Sequence, residues 1–448
     1  MNDQRFYLLS LIGAMIISFL YLSYNKQNSN KLNESWAPNT KIQIDELIKN
    51  NSGNPGAYAV FDWDNTSIFG DVQENLFVYQ LENLIFKLTP EEFNYAFIHY
   101  ADNDTIDNKL IPANDFSSPY LNNEKTSLNI NQLADDCTQD YSFIYENYRA
   151  INPASRGNLT LEQIKKTPQY KNFIAKMYFT YSALYEFFPS NIAYTWVIYV
   201  TATGFTSEEL KSVVEKSIDW GISQKIARVY FDAETTLPGA AGIINNSEIG
   251  NYFSQGIRPI KEIASLFNLL DENKIPVYIC TASLQDVVEV FAENSKYGYS
   301  LPQNRVIGMR LKKNADGKFI PYYDNSDGYA VNGNEGKTIN INSLLVKKYA
   351  SNPIIIAGDS DGDYNMITEL SGMDGKNIIN NYKPVELVLL INRLKSGVIG
   401  RIGAIGMDQL FHKKLNSTKV VLQGRDENYG KWIPTEKTIK FENIKQID

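Results

Sequence analysis

Apolar residues change their spacing several times along this 448-residue chain, and each change marks a boundary. Residues 6–24 (FYLLSLIGAMIISFLYLSY) are an uncharged, mostly apolar run, with Arg5 before it and Lys26 and Lys31 after it. A secretory signal usually has an apolar stretch of about 7–15 residues ending at a small-residue cleavage site. This run is longer and shows no convincing site. At about 1.5 Å of rise per residue it just reaches across a hydrocarbon core of ~30 Å. It reads as a single-pass signal anchor within residues 1–24, with a cleaved signal peptide as the alternative. Positive charges flank both ends, so they do not set its orientation. Residues 25–50 are rich in Asn, Lys and Ser and read as a linker to an extracytoplasmic catalytic region.

Residues 58–61 (YAVF), set off by the turn run 51–56 (NSGNPG), predict a short strand. From about 71 to 255 the chain reads as helix-rich and irregular, with helical periodicity over 161–188 and 207–220. The spacing then changes. Ile260, Ile263, Phe267 and Leu270 fall on one face of a helix over 259–273, and a strand over 276–280 (PVYIC) follows directly. A helix begins at Ser283, with Asp286 placed for a capping box. A helix over 337–349 leads into a strand over 353–357 (PIIIA) and a further turn and helix. Strands alternating with helices predict an α/β fold built on a doubly wound, mostly parallel sheet.

Composition narrows the chemistry. Lys and Arg total 43 against 51 Asp and Glu, a net charge of -8 that argues against nucleic acid, whose binders present basic faces. Two histidines, His99 and His412, cannot build a three-His zinc site. Two cysteines, Cys137 and Cys280, exclude a disulfide scaffold or a Cys-rich metal site. Neither has an Arg six positions on, so a Cys-x5-Arg phosphate loop is absent too. Carboxylates are left to carry the reaction.

Ligands of open α/β sheets bind beyond the carboxyl ends of the strands. After YAVF come Asp62, Trp63, Asp64, Asn65 and Thr66; after PVYIC come Thr281, Ala282 and Ser283. Gly336 and Lys337 open a helix, and after PIIIA come Gly358, Asp359, Ser360, Asp361, Gly362 and Asp363. Carboxylates gathered at one sheet edge repel one another, and a divalent cation is the simplest way to keep them ionised. Oxygen ligands without His or Cys suit Mg²⁺ and phosphate-bearing partners. A lysine and a hydroxyl nearby can take up phosphoryl charge. One carboxylate can attack phosphorus while a second, two residues along a turn, moves protons.

DWDNT, TAS, GK and GDSDGD, in that order, resemble the four motifs of the haloacid dehalogenase superfamily. The resemblance implies Asp62 as nucleophile and Mg²⁺ ligand, and Asp64 as general acid and base whose main-chain carbonyl also meets the metal. Thr281 and Ala282 would bind the phosphoryl group, Lys337 would neutralise it, and Asp359 and Asp363 would complete the metal site. An acid at position 64 points to phosphoester hydrolysis and away from dehalogenation. The long stretch between Thr66 and Thr281 implies a cap over 73–255, with the catalytic core formed by 51–72 and 256–448, as in phosphoserine-phosphatase-like members. AVFDWDNTS, GIRP, KYGYSLPQNRVIG and LQGRDENYGKW are similar to the bacterial phosphorylcholine phosphatase group, which implies an exported enzyme acting on phosphorylcholine or related small phosphomonoesters.

Two other readings compete. Gly358 to Gly362 also matches the G-x-S-x-G elbow of α/β-hydrolases, with Ser360 served by His412 and by Asp374 or Asp408. That esterase would leave DWDNT, TAS and Lys337 unused and would surround its oxyanion with acids. A non-catalytic, membrane-tethered binding protein would be expected to have lost motif acids, and all are present. In the cap, Tyr194, Trp196 and Tyr199 could join an aromatic cage for a quaternary ammonium, but core or cap packing is the stronger reading, because aromatics make up 12% of the chain. Asp102, Asp104 and Asp107 read as a solvated loop, because the Gly of a calcium loop is missing. Cys280 is expected to be buried and inert, and Arg425 reads as a structural salt-bridge residue.

Overall fold

The computed structural model describes residues 32–98, 115–117, 127–187, 190–230, 252–412 and 418–441. The apolar run at 6–24 and the acidic loop at 102–107 lie outside the described residues. Among those described, no helix is long and apolar enough to cross a membrane.

Six strands form the central sheet: β1 (Ala59–Phe61), β2 (Val277–Leu284), β3 (Val306–Met309), β4 (Ile355–Gly358), β5 (Leu387–Ile391) and β6 (Lys419–Gln423). All neighbours run parallel. Parallel strands covered on both faces are apolar throughout, and β1, β4 and β5 are buried at every position. The spatial order is β3-β2-β1-β4-β5-β6. Chain order therefore reverses between β1 and β4, the crevice where such sheets bind ligands. Helices Lys261–Glu272, Gln285–Glu293, Glu335–Ile341, Tyr364–Ser371 and Val398–His412 connect the strands.

Three elements depart from the sequence reading. The expected linker is partly a helix, Pro38–Asn51, with Ile44, Leu47 and Ile48 buried. Its Thr40 hydroxyl donates to the Leu422 carbonyl at 2.7 Å, and Trp36 meets Trp432 edge-on at 4.7 Å. Its apolar face covers the β6 side of the sheet, and the surrounding Asn and Lys hid that i, i+3, i+4 spacing. The helix expected over 161–188 is two, Leu161–Ile164 and Pro168–Phe187. Pro168 has no N–H to continue the first and restricts the residue before it. The helix expected from Ser283 starts at Gln285, because β2 runs on to Leu284. No side chain caps that helix; Asp286 accepts instead from the Ser207 hydroxyl at 2.6 Å.

Helices Pro90–Ile98, Ile130–Asn147, Pro168–Phe187 and Ser190–Ala202 pack around an aromatic nucleus. Phe93 stacks on Tyr141 at 4.6 Å, and Trp196 meets Phe97 edge-on at 5.3 Å. Offset and edge-on pairs of this kind add to area burial. Lys176 is buried between Asp136 (2.8 Å) and Asp140 (2.6 Å), joining two of these helices.

Candidate active site

Asp62 leaves β1 with its N–H donating to the Ala357 carbonyl of β4 at 2.9 Å, so it stands in the crevice between the two strands. Lys337 reaches it from helix Glu335–Ile341, with Nζ 2.6 Å from Asp62 Oδ1 and 2.7 Å from Asp363 Oδ1. That helix can begin so close because residue 336 is Gly: a Cβ there would lie 1.7 Å from the Val331 carbonyl oxygen. Gly358 plays a similar part, since a Cβ would lie 2.7 Å from that of Asp363. Asp363 can therefore fold back to accept from the N–H groups of Asp359 (3.0 Å) and Ser360 (3.1 Å). The Thr66 hydroxyl lies within hydrogen-bond reach of both Asp62 Oδ2 (3.2 Å) and Asp359 Oδ1 (3.1 Å).

Asp62, Asp359 and Asp363 each offer a carboxylate oxygen within 4.8 Å of the others, and all three are buried. A hard, all-oxygen donor set of this kind fits a divalent cation such as Mg²⁺. Burial and the Asp363 charge push the Asp62 carboxyl up to about 8, against the pull of Lys337. Burial also acts on Asp359, but Arg393, donating to its Oδ2 at 2.6 Å, and Lys395 hold it below the ordinary range.

Asp64 is handled differently. Its carboxyl accepts from the Val72 N–H at 2.7 Å and the Ser283 hydroxyl at 2.6 Å, and the Thr281 hydroxyl stands 3.4 Å away. Burial, followed by the nearby Asp71 and Asp62, holds its pKa well above the usual carboxylate range. Two acids of one turn are thus presented to different partners. Thr281 is fully buried, while its neighbour Ala282 lines the cavity. Trp63 points the other way, edge-on to Tyr299 at 4.9 Å and Phe291 at 5.6 Å, so the bulk between the acids anchors their turn to the core.

A cavity of about 780 Å³ opens above these groups. One wall carries acids and tyrosines: Asp71, Glu74, Tyr178, Tyr181, Tyr185 and Tyr194. Asp71 caps helix Val72–Asn83 through the Glu74 N–H (2.9 Å) and accepts from the Tyr194 hydroxyl at 2.7 Å. The Tyr178 hydroxyl donates to Glu74, whose carboxyl burial and Asp71 together push up to about 7. Tyr194 thus lines the cavity, while Trp196 and Tyr199 are core residues, with Trp196 donating to the Phe97 carbonyl at 2.8 Å. Arg393 and Lys395 also line the cavity. Sequence reasoning missed most of this lining, yet signals existed. Residues 178, 181 and 185 share a helical face, and Asn392 to Lys395 follow the apolar run of β5 as the other motifs follow their strands.

The esterase alternative finds no support among the described residues. Ser360 donates to Asp363 at 3.2 Å, while His412 sits exposed on Asp408 at 2.7 Å. Asp374 is engaged by Tyr364 and Arg401. Cys280 is buried, and burial pushes its thiol up to about 12.

No protein-family profile matches the chain. It is 24% identical over 276 residues to a phosphorylcholine phosphatase of Pseudomonas aeruginosa, a match covering 62% of this chain and 55% of that protein. The chain thus spans about half the length of that curated relative. Its fold is similar to the crystal structure of a conserved, functionally unknown protein from Anaerococcus prevotii, with a TM-score of 0.72 and 28% identity over 90% of this chain and 97% of the other.

Proposed function

We propose that this chain, a member of the haloacid dehalogenase superfamily, is a phosphatase that cleaves a small phosphomonoester through an aspartyl-phosphate on Asp62, with phosphorylcholine as substrate. The observation that carries the reading is the separation of the two acids of one turn, Asp62 bound to Lys337 and Asp64 to Ser283.

A carboxylate oxygen of Asp62 attacks phosphorus and the bond from phosphorus to the leaving oxygen breaks. Asp64, whose burial favours the protonated form, gives its proton to the departing alcohol. It then takes a proton from water, whose oxygen attacks the phosphorus, breaks the bond to Asp62 and frees inorganic phosphate. Lys337 offsets negative charge on the phosphoryl oxygens and fixes Asp62 between turns of the cycle. Asp62, Asp359, the main-chain carbonyl of Asp64 and Asp363 would hold Mg²⁺, which when bound supplies Lewis-acid stabilisation of the phosphoryl group.

The substrate assignment is supported by the relative's activity and by the cavity wall. A quaternary ammonium has no N–H to donate, so it is recognised by carboxylate charge and aromatic faces. Asp71 and Glu74 supply the first, and Tyr178, Tyr181, Tyr185 and Tyr194 the second. Phosphate release by the purified protein from phosphorylcholine, phosphoserine and an aryl phosphate, with Mg²⁺ and with EDTA, tests both parts. Metal-dependent preference for phosphorylcholine is expected. Turnover of the aryl ester alone would remove choline, and no metal-dependent release from any ester would remove the phosphatase.

Glu74→Gln isolates the wall from the reacting groups. Above the carboxyl's raised value of about 7, losing that charge is expected to raise KM for phosphorylcholine about tenfold, equivalent to about 1.4 kcal/mol, and to leave KM for the aryl phosphate in place. Equal changes for both esters would show that Glu74 does not read the ammonium. The same reading puts the catalytic region outside the cytoplasm, tethered by residues 6–24 or freed by their cleavage. N-terminal sequencing of the mature protein distinguishes these, and recovery in the cytoplasm would refute both.

A further inference from the structure

Residues 424–432 lie against the outside of the loop that carries Asp62 and Asp64, and no step above uses them. Arg425 is 3% exposed. Its Nη1 donates to the main-chain oxygen of Asn65 at 3.2 Å and to Asn65 Oδ1 at 3.1 Å. Nη2 donates to Glu427 Oε1 at 3.1 Å, and the guanidinium lies 4.8 Å from the centre of the Phe69 ring.

Asn65 is the residue between Asp64 and Thr66, and it occupies the left-handed region at φ 61°. Its N–H donates to the Gly70 carbonyl at 2.9 Å, and the residue lines the cavity. The next residue, Thr66, touches both Asp62 and Asp359 through its hydroxyl. The backbone conformation at Asn65 therefore decides where the acid before it and the hydroxyl after it point. Asn tolerates this conformation better than most residues other than Gly, and here the Gly70 carbonyl and the Arg425 guanidinium hold it from both sides.

The grip comes from a firm base. Arg425–Asp426 pairs antiparallel with Lys431–Trp432, and Trp432 is held edge-on by Trp36. Gly424 lets the chain pass close to its neighbour, since a Cβ there would lie 2.3 Å from the Lys437 carbonyl oxygen. A structural ion pair with Glu427 alone would satisfy the charge, and a lysine would serve it as well. It leaves unexplained why one guanidinium nitrogen meets both acceptor atoms of Asn65 while the other holds Glu427, a span over two fixed nitrogens that a lysine's single ammonium does not reproduce.

We propose that Arg425 is a positioning residue for the reacting turn: it locks Asn65 in its left-handed conformation and through it aims Asp64 and Thr66. The inference rests on the reading of Asp62 and Asp64 as the reacting pair. Three variants of the full chain test it: Arg425→Lys, Glu427→Gln, which keeps the fork but removes its anchor, and Trp432→Phe, which loosens the same hairpin without touching Asn65. For each, kcat, KM, Tm and amide exchange over residues 64–70 are measured. Arg425→Lys is expected to lower kcat about 10–100-fold, as a misplaced catalytic group does, with KM within about twofold. Exchange at Asn65 should rise in the same variant. Glu427→Gln should show a smaller loss of the same kind, and it carries the test if Arg425→Lys does not fold. Trp432→Phe should lower Tm while kcat holds.

A kcat for Arg425→Lys or Glu427→Gln that merely follows Tm along the line set by Trp432→Phe would overturn the proposal. Unchanged exchange at Asn65 would do the same. If the unmodified protein releases no phosphate, the phosphatase reading has failed, and the exchange measurement still decides whether Arg425 holds the turn.

Discussion

Asp62→Asn is expected to lower kcat by roughly four orders of magnitude or more, the loss expected when a nucleophile is replaced by a group that cannot form the covalent intermediate. The fold should survive the change. Asn keeps the shape of the side chain, and Lys337 keeps Asp363 at 2.7 Å as an ion-pair partner. Asp62 is also buried close to Asp359 and Asp363, so removing its charge relieves a repulsion in the metal-free protein. Steady-state kinetics and a thermal melt on the same preparation check both halves. Residual activity above about 1%, far more than removal of a reacting group leaves behind, would show that the phosphoryl group is not transferred to this oxygen.

Lys337→Met should damage both activity and stability, and the two effects separate by their response to metal. Lys337 is 2% exposed and is the cation common to Asp62 and Asp363. Removing one partner of a buried ion pair and leaving the other costs about 3–5 kcal/mol, and here two carboxylates lose their counter-charge at once. In EDTA a large drop in Tm is expected. Mg²⁺ should recover much of it, because a ligand that binds only the folded state stabilises it by mass action and supplies charge where the lysine did. Activity should stay low with metal present, since the amine proposed to offset phosphoryl charge is gone. If Lys337→Met melts like the unmodified protein in EDTA, the lysine does not hold the carboxylates together. If Mg²⁺ leaves the Tm of the variant unchanged, the acidic cluster does not bind it.

The parts of this molecule that could be read in advance are those dictated by local rules. Strands β1, β4 and β5 are buried on both faces and so are written as unbroken apolar runs. Helix Lys261–Glu272 was legible because its buried residues recur on one face. Where local rules compete, tertiary contacts chose. Ser283 and Asp286 have the look of a helix start, yet Ser283 serves Asp64 and Asp286 serves Ser207. Pro38–Asn51 is polar enough to pass for a linker, and it is helical because the sheet offers its few apolar residues a surface.

The candidate site divides along the same line. Asp62, Asp64, Lys337, Asp359 and Asp363 could be singled out from sequence because the carboxyl ends of parallel strands fall on one edge of a sheet whatever covers it. The roles proposed for them are those that the resemblance to the haloacid dehalogenase motifs implies. Sequence alone does not fix which of two acids two residues apart faces Lys337 and which faces Ser283, because a turn can be rotated about its backbone dihedrals at little local cost. Packing of Trp63 against Tyr299 anchors that turn in the core, and Arg425 bonds its next residue, Asn65. Nor did spacing reveal that Tyr178, Tyr181 and Tyr185 would share a wall with Asp71 and Glu74, or that Arg393 would reach Asp359. Those neighbours lie far apart in the chain, and only the packing of helices over the sheet brings them within reach of one substrate.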